Sequence, residues 1–230
     1  MERVVLLAHG AGSSPDVVRR LLAPCLPDDA VVVVPLLVGG AEDSARVLAD
    51  LAAGREVVLG AGISMGAHAL ALLAARTGST WPLVAAMPAW TGAPGDVAAA
   101  TAVAADELER VGRAAVLDAL ASDPLTRDDW VREELAAGWS AYDDAALVAA
   151  LRAGASSAAP TAPDLATLRS PTAVVALADD PLHPASVAAE WARSAPVAAL
   201  RTVARHAPRD DRSALGRAAA DALAELSGSR

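Results

Sequence analysis

Four short segments of the sequence carry residue types that could act together on an acyl group. They are His9-Gly10-Ala11-Gly12, Gly62-Ile63-Ser64-Met65-Gly66, Asp179-Asp180-Pro181-Leu182-His183-Pro184 and Arg205-His206-Ala207. A serine hydroxyl is a weak nucleophile until a base takes its proton, and histidine is a base that works near neutral pH. A carboxylate can hold that imidazole in the productive tautomer, while backbone N–H groups bind the oxyanion that forms on the attacked carbonyl. The segments therefore predict a nucleophile, a base, an acid and an oxyanion hole.

The segment around Ser64 has the form G-x-S-x-G and lies between a predicted strand and an apolar helical run. A strand that turns at once into a helix crowds the backbone, and glycines two residues before and after the serine remove side chains that would collide. The pentapeptide alone is a weak signal, but this context indicates Ser64 as a nucleophile. The N–H groups of Ala11 and Met65 are the predicted oxyanion donors, and His9 is expected to order the loop that carries Ala11.

Hydrophobic patterns predict short buried strands that alternate with helices, with one long interruption. The predicted strands cover residues 4–8, 30–36, 56–59, 83–87, 172–177 and 197–203. Between residues 91 and 170 the strand pattern stops, and helices are expected over about 96–120, 127–139 and 143–152, followed by a Ser-, Ala- and Pro-rich linker at 154–163. The pattern predicts an α/β chain with a doubly wound, mainly parallel sheet of about six strands. Each of the four segments follows a different strand, at the carboxyl ends where such sheets form their sites.

The interruption predicts a division of the chain into two parts. Residues 1–90 and 171–230 would form the α/β core, and residues 91–170 would form a helical lid inserted into it. The few aromatic residues concentrate in or beside this insertion, and Trp90, Trp130 and Trp139 are predicted to line the substrate pocket. The alternative interpretation is that these indoles form a small core of the insertion itself.

Two histidines compete for the role of the base. His183 lies three residues after Asp180 on the same loop, where it would line the pocket. His206 follows the last predicted strand on a separate loop, which suits a base that must reach across to Ser64. The prediction therefore assigns the base to His206 and a substrate-binding role to His183. His68, four residues after Ser64, is expected to be a buried core or pocket-rim histidine.

Composition excludes several classes of function. The chain has 28 acidic and 19 basic residues and a formal net charge of -9, whereas binding to nucleic acid or an anionic membrane requires a basic surface. No apolar run reaches the ~18 residues of a membrane span, and the N-terminal residues lack the apolar region of a signal peptide. The single cysteine, Cys25, excludes an internal disulfide framework and a cysteine-based zinc site. A cytoplasmic location is expected.

The chain resembles the α/β-hydrolase superfamily over nearly its whole length, in that family's order of motifs. The residues that carry the resemblance are His9-Gly10, the Gly62-to-Gly66 elbow, Asp180 with Pro184, and His206. More narrowly, it is similar to small serine hydrolases with an HG-type oxyanion loop, which are described as esterases or as dienelactone-hydrolase-like. The family often begins with two additional strands, the first of them antiparallel, for which this chain has no room. A reduced sheet is therefore implied.

The resemblance implies a Ser-His-Asp triad with no metal and no organic cofactor. Ser64 would be the nucleophile, His206 the base and Asp180 the acid, since Asp180 rather than Asp179 matches the family's Asp-x-x-x-Pro spacing. The expected reaction is hydrolysis of a carboxylic ester or related small acyl substrate through an acyl-enzyme. Thioester, lactone or carbon–carbon bond hydrolysis on the same triad stays open, as does a non-catalytic protein that binds a small ligand. Whether the chain forms a homodimer also stays open.

Overall fold

The structure, a computed structural model, describes residues 1–122 and 130–228, and its described strands form one parallel sheet. The strands are β1 (Arg3–Ala8), β2 (Val31–Val33), β3 (Glu56–Ile63), β4 (Leu83–Ala86), β5 (Thr172–Leu177) and β6 (Ala198–Val203). Their order across the sheet is β2-β1-β3-β4-β5-β6, and all five neighbouring pairs are parallel. The predicted α/β architecture with a parallel sheet of six strands is confirmed.

Helices connect these strands and fill the interval between β4 and β5. The described helices are α1 (Pro15–Leu22), α2 (Ala41–Ala52), α3 (Met65–Thr77), α4 (Asp96–Val111), α5 (Arg113–Ser122), α6 (Trp130–Trp139), α7 (Asp144–Ala155), α8 (Ala162–Ala166), α9 (Ala185–Ser194), α10 (Ala207–Asp210) and α11 (Ala214–Gly228), with a short 3-10 helix at Ala23–Cys25. None of the helices in the described ranges combines the length and the apolar composition needed to cross a bilayer.

The core lies on both faces of the sheet. Along β1, Leu6 and Ala8 pack on one side with residues of α2, α3, α8 and α9. Val5 and Leu7 point to the other side, where they pack with residues of α1 and α11. Because both faces are covered, the strands read as continuous apolar runs rather than as alternating patterns. This is the doubly wound arrangement that the sequence predicts.

The structure differs from the predicted elements at three places. Strand β3 continues through residues 60–63, which look like a turn in the sequence, because these residues pair with β1 on one side and with β4 on the other. Gly60 also leaves room for the ring of Trp81, since a Cβ there would lie 2.4 Å from Trp81 Cζ3. Strand β2 is only three residues long. The helix predicted over 96–120 is two helices, because Gly112 with φ +82° ends α4. Residues 127–129 of the next predicted helix lie outside the described residues.

The predicted linker at residues 154–163 packs against the core. Ala159 N–H donates to Gly92 O at 2.7 Å, and Gly92 N–H donates to Pro160 O at 3.0 Å. The Ser157 hydroxyl accepts a hydrogen bond of 2.7 Å from Ala41 N–H at the start of α2. This segment therefore brings the chain from the inserted helices back to the sheet by pairing with the residues that follow β4.

Candidate active site

The backbone at Ser64 forms a strained turn between β3 and α3. Ser64 has φ 54° and ψ -120°, a backbone conformation that residues other than glycine rarely adopt. A Cβ at Gly62 would lie 2.5 Å from the carbonyl carbon of Gly66, and a Cβ at Gly66 would lie 2.2 Å from Ala8 O. Both glycines are therefore required by close backbone contacts, for the reason that the pentapeptide predicts. The half-buried Ser64 side chain stands at the carboxyl end of the sheet.

The loop after β5 places a carboxylate and an imidazole side by side. Asp180 Oδ1 accepts hydrogen bonds from Leu182 N–H at 2.9 Å and from His183 N–H at 3.3 Å, which folds the loop back on itself as an aspartate turn. The other carboxylate oxygen, Oδ2, lies 3.2 Å from His183 Nδ1. The preceding residue, Asp179, is exposed with φ 57°. Of the two aspartates, Asp180 is the one that contacts the histidine.

His183 joins this loop to Ser64. Its Nε2 lies 3.0 Å from Ser64 Oγ, on the opposite side of the ring from Asp180. An ionised carboxylate only accepts hydrogen bonds, so the hydrogen of the neutral ring belongs on Nδ1 and Nε2 is left to accept from the serine. The result is a continuous chain from the Asp180 carboxylate through His183 to the Ser64 hydroxyl, the arrangement in which an imidazole acts as a general base.

The surroundings of Asp180 favour its ionised form. Burial raises the pKa of this carboxyl, but the hydrogen bond and charge of His183 and the N–H groups of Leu182 and His183 lower it further, and the net shift of the Asp180 pKa is downward. The side chain is 11% exposed, which weakens screening by solvent. A carboxylate is therefore present behind the imidazole over the whole neutral range.

The structure does not bring His206 to Ser64, which corrects the expected histidine partner. Strand β6 ends at Val203 and the chain turns at once into α10, with Ala207 N–H donating to Ala204 O at 2.9 Å. His206 precedes this short helix and is exposed. The turn at Ala204 and the start of α10 leave His206 exposed, whereas the aspartate turn folds His183 onto Ser64. The catalytic roles themselves stay predictions.

The loop after β1 passes directly beside Ser64. A Cβ at Gly10 would lie 3.3 Å from Ser64 Cβ, so the glycine allows this approach. Buried His9 holds the loop: its Nε2 accepts from Leu37 N–H at 2.8 Å, and its Nδ1 then donates to Gly10 O at 2.8 Å. Burial lowers the pKa of His9, in keeping with a neutral ring. The loop geometry is therefore built to present the next residue, Ala11, close to Ser64.

The three tryptophans predicted to line a substrate pocket are all buried. Trp130 packs with the α1 and α11 side of the core and donates its Nε1–H to Arg205 O at 3.0 Å. Trp90 donates its Nε1–H to Ser157 O at 3.2 Å. Trp139 is 2% exposed, and its Nε1–H has no partner among the described residues. Trp139 lies beside Gly12 of the loop after β1. The substrate-binding role of these residues stays a prediction.

His68 lies fully buried one helical turn after Ser64. Its Nε2 accepts a hydrogen bond of 3.1 Å from Ala89 N–H, and its ring lies between those of Trp90 and Trp191, with centroids 5.1 Å and 5.5 Å away. Its Nδ1 has no partner among the described residues, so only one of the two ring nitrogens of this core histidine is hydrogen-bonded there. Burial, together with the charge of nearby His183, lowers the pKa of His68 to about 3.

This pKa predicts that His68 makes the fold sensitive to acid. As the pH falls below 6.5, the unfolded chain takes up a proton that the folded chain refuses until about pH 3. Each pH unit in this window then removes up to about 1.4 kcal/mol from the free energy of unfolding. Between pH 6 and 4, His68→Gln should reduce the slope of that free energy against pH by up to about 1.4 kcal/mol per pH unit, the contribution of one proton. Urea unfolding at a series of pH values measures this slope.

The matched control is His206→Gln, which replaces an exposed imidazole and should keep the wild-type pH dependence. A His68→Gln variant whose unfolding free energy falls with acid as steeply as that of the wild type would contradict the buried neutral ring.

Chemistry-bearing groups elsewhere do not form a second candidate site in the described part of the chain. Over residues 1–122 and 130–228, no three His, Cys, Asp or Glu side chains are grouped so that they could hold a metal ion. A shallow groove lined in part by Cys25, Pro82 and Pro171 lies at the other end of the sheet, where the strands begin. The carboxyl end of the sheet, around Ser64, is therefore the candidate active site.

Comparison with known proteins gives structural matches without sequence matches. No family model matches the chain, and no curated protein matches it. Solved structures match over almost its full length. An enol-lactonase from Burkholderia xenovorans LB400 is 18% identical, with a TM-score of 0.71, over 99% of this chain and 92% of that one.

Two further structures agree with this match. A carboxylesterase structure from the thaumarchaeon Nitrososphaera gargenis is 14% identical, with a TM-score of 0.76, over 100% of this chain and 92% of that one. An alpha/beta hydrolase enzyme from a Medee basin deep-sea metagenome library is 14% identical, with a TM-score of 0.67, over 99% and 90%. Identities this low establish the architecture alone. Taken with the order of the strands and the elbow at Ser64, they show that the chain has the α/β-hydrolase fold.

Proposed function

We propose that this protein is a serine hydrolase that cleaves a carboxylic ester or a related small acyl substrate. The observation that carries the proposal is the chain of contacts from Asp180 through His183 to Ser64, with 3.2 Å and 3.0 Å between the bonded atoms. These contacts meet at Ser64, which lies on a strained turn at the start of α3. The positive end of that helix favours the negative charge that develops there. Ser64 is the nucleophile, His183 the base and Asp180 the acid.

The reaction proceeds in two halves. In the first, Ser64 Oγ attacks the substrate carbonyl while its proton passes to His183 Nε2, and the carbonyl electrons move onto the oxygen. Collapse of this intermediate breaks the bond to the leaving alcohol, which takes the proton from His183 and leaves an acyl group on Ser64. In the second, His183 takes a proton from water, the hydroxide attacks the acyl carbon, and the acid leaves as Ser64 regains its hydrogen. Asp180 stabilises the imidazolium in both halves.

The N–H groups of Ala11 and Met65 are the donors that we assign to the oxyanion. Met65 begins α3 directly after the nucleophile, and Ala11 follows Gly10, which lies against Ser64. No carbonyl among the described residues accepts from either N–H, so both are available to the substrate. Donors held in advance at the developing charge contribute more to rate than donors that must reorganise, and each is worth roughly 10²- to 10³-fold in such enzymes.

Lactone hydrolysis is the second candidate, because one structure with this fold is an enol-lactonase and a lactone is an internal ester that the same groups would open. A thioester or a carbon–carbon bond beside a carbonyl would use the same nucleophile. A panel of p-nitrophenyl esters of increasing acyl length, aliphatic lactones and acyl thioesters separates these substrate classes by their kcat/KM values.

Covalent labelling tests the proposal directly. A fluorophosphonate probe should add one adduct to the wild-type protein, located at Ser64 by peptide mass mapping, and Ser64→Ala should take up none while keeping its circular dichroism spectrum. The wild type should also hydrolyse p-nitrophenyl acetate. A folded wild-type protein that binds small esters without labelling or turnover would instead indicate a non-catalytic ligand-binding protein.

A further inference from the structure

Hydrogen bonds within the loop and to buried His9 hold the start of the oxyanion loop, residues 10–13. Ser13 N–H donates to Gly10 O at 3.1 Å and closes a turn, and His9 Nδ1–H donates to the same oxygen at 2.8 Å. Leu37 N–H holds the His9 ring from behind. These bonds fix the start of the loop, but they leave its far end, at Ser13 O, to be held by another part of the molecule.

That part is the α6–α7 hairpin, which we define as residues 130–155. Its connecting turn carries Tyr142, whose hydroxyl donates to Ser13 O at 2.7 Å and lies 3.3 Å from Leu37 O. The side chain is 6% exposed, and burial raises the pKa of Tyr142 well above its usual value, so the hydroxyl keeps its hydrogen. The phenol thus bonds the end of the oxyanion loop to the segment that also holds His9.

Two glycines of the hairpin bring its helix backbones against the same loop. A Cβ at Gly138 in α6 would lie 3.0 Å from Ser13 Cα, and a Cβ at Gly154 in α7 would lie 2.5 Å from Ala11 Cβ. The Gly154 position is also 3.6 Å from Met65 Sδ, so it adjoins both residues that we assign to the oxyanion hole. Such close backbone approach leaves the loop little freedom to shift.

A second side chain keeps the hairpin turn in shape. The Arg113 guanidinium donates to Trp139 O at 2.6 Å and to Tyr142 O at 2.8 Å, and it pairs with Asp144 at 2.7 Å. These bonds close the turn on both sides of Tyr142. Arg113 therefore stabilises the turn that places the Tyr142 hydroxyl at Ser13 O.

We infer that the α6–α7 hairpin is part of the oxyanion hole, and that Tyr142 is a positioning residue that fixes the Ala11 N–H through Ser13. The inference rests on the proposed function, because it concerns the donors of the same acyl-transfer site.

Tyr142→Phe removes the hydroxyl and keeps the ring. The variant should lose roughly 10- to 100-fold in kcat on p-nitrophenyl acetate with KM within about twofold, because misplacing a donor weakens the transition state rather than substrate binding. The inhibition constant of phenylboronic acid, whose tetrahedral adduct on Ser64 uses the same donors, should rise by the same factor. Arg20→Gln is the control, since it removes the ion pair between Arg20 of α1 and Glu134 of α6, which does not touch the oxyanion loop, and its kcat should stay within about twofold.

The contact of Gly154 with Ala11 gives an independent test by rescue. Gly154→Ala adds a methyl group that overlaps Ala11 Cβ and should lower kcat, while Ala11→Gly keeps the N–H and removes the obstructing Cβ. The double variant should therefore recover most of the lost kcat. If Tyr142→Phe does not fold, this pair still tests whether the hairpin sets the position of Ala11.

The outcomes separate the inference from the proposed function. A wild-type protein that takes up no fluorophosphonate at Ser64 refutes the proposed function and the inference that rests on it. A wild type that is labelled, with Tyr142→Phe unchanged in kcat and in boronic acid inhibition, leaves the proposed function standing and overturns the positioning role. A double variant no more active than Gly154→Ala overturns the other part of the inference, that the hairpin sets the position of Ala11.

Discussion

His183→Ala is expected to lower kcat on p-nitrophenyl acetate by roughly 10⁴-fold or more, whereas His206→Ala should keep kcat within about threefold of the wild type. The reason is geometric: His183 Nε2 lies 3.0 Å from Ser64 Oγ and its other nitrogen faces Asp180, while His206 is exposed before α10. Without the imidazole, no side chain among residues 1–122 and 130–228 is hydrogen-bonded to Ser64 Oγ to take its proton. The remaining rate comes from the oxyanion donors and from substrate binding.

The two variants are a matched pair, because each removes one imidazole from a loop at the same end of the sheet. The kcat on p-nitrophenyl acetate and the rate of fluorophosphonate labelling should both fall in His183→Ala. An unchanged thermal unfolding midpoint is the check on folding. A large loss in His206→Ala with near wild-type activity in His183→Ala would assign the base to His206 and contradict our proposal.

Gly66→Ala should destabilise the protein by about 3 kcal/mol or more and abolish turnover. In a helix, replacing glycine by alanine ordinarily stabilises by about 0.5–1 kcal/mol, because alanine loses less backbone entropy. Here the added Cβ would stand 2.2 Å from Ala8 O and 2.7 Å from His9 O. The collision is with backbone, which no side-chain rotation relieves, so it outweighs the gain in helix propensity. The strand or the helix must then move, and the oxyanion loop moves with it.

The measurement is urea unfolding together with p-nitrophenyl acetate turnover. Gly95→Ala is the control, because a Cβ at Gly95 meets nothing within 4 Å, and we expect its free energy of unfolding to stay within about 0.5 kcal/mol of the wild type. A Gly66→Ala variant as stable and as active as the control would mean that β1 and α3 are not held at the distance described here.

The sequence by itself determined the features that depend on local chain geometry. Buried aliphatic runs identify the parallel strands, since a strand covered on both faces has no polar side. The glycines around Ser64 identify the elbow, because backbone crowding at a strand-to-helix turn leaves room for no other residue. The choice of Asp180 over Asp179 came from the Asp-x-x-x-Pro spacing of the family that the chain resembles, and in the structure Asp180 accepts from the N–H groups of Leu182 and His183 in its own loop.

The extent of β3 and the packing of the predicted linker depend on contacts with residues that are distant in the sequence. The sequence at Gly60 predicts the start of a turn, but Gly60 remains in β3 because it pairs with Leu6 of β1 and Leu83 of β4. The predicted linker at residues 154–163 is held to the residues after β4 by the hydrogen bonds of Gly92. None of these neighbours can be identified from the local pattern, because the contacts form only when the sheet is assembled.

The partner of Ser64 and the support of its oxyanion loop were decided by the tertiary structure alone. Sequence reasoning preferred His206 because a separate loop offers greater reach, but reach depends on how tightly each loop turns. The loop after β6 enters α10 at once, while the aspartate turn returns His183 to the site. Tyr142 lies 129 positions from Ser13, and their hydrogen bond exists because the inserted helices pack on the oxyanion loop. Such contacts between distant segments follow from the packing of the whole chain, and residue type or spacing does not specify them.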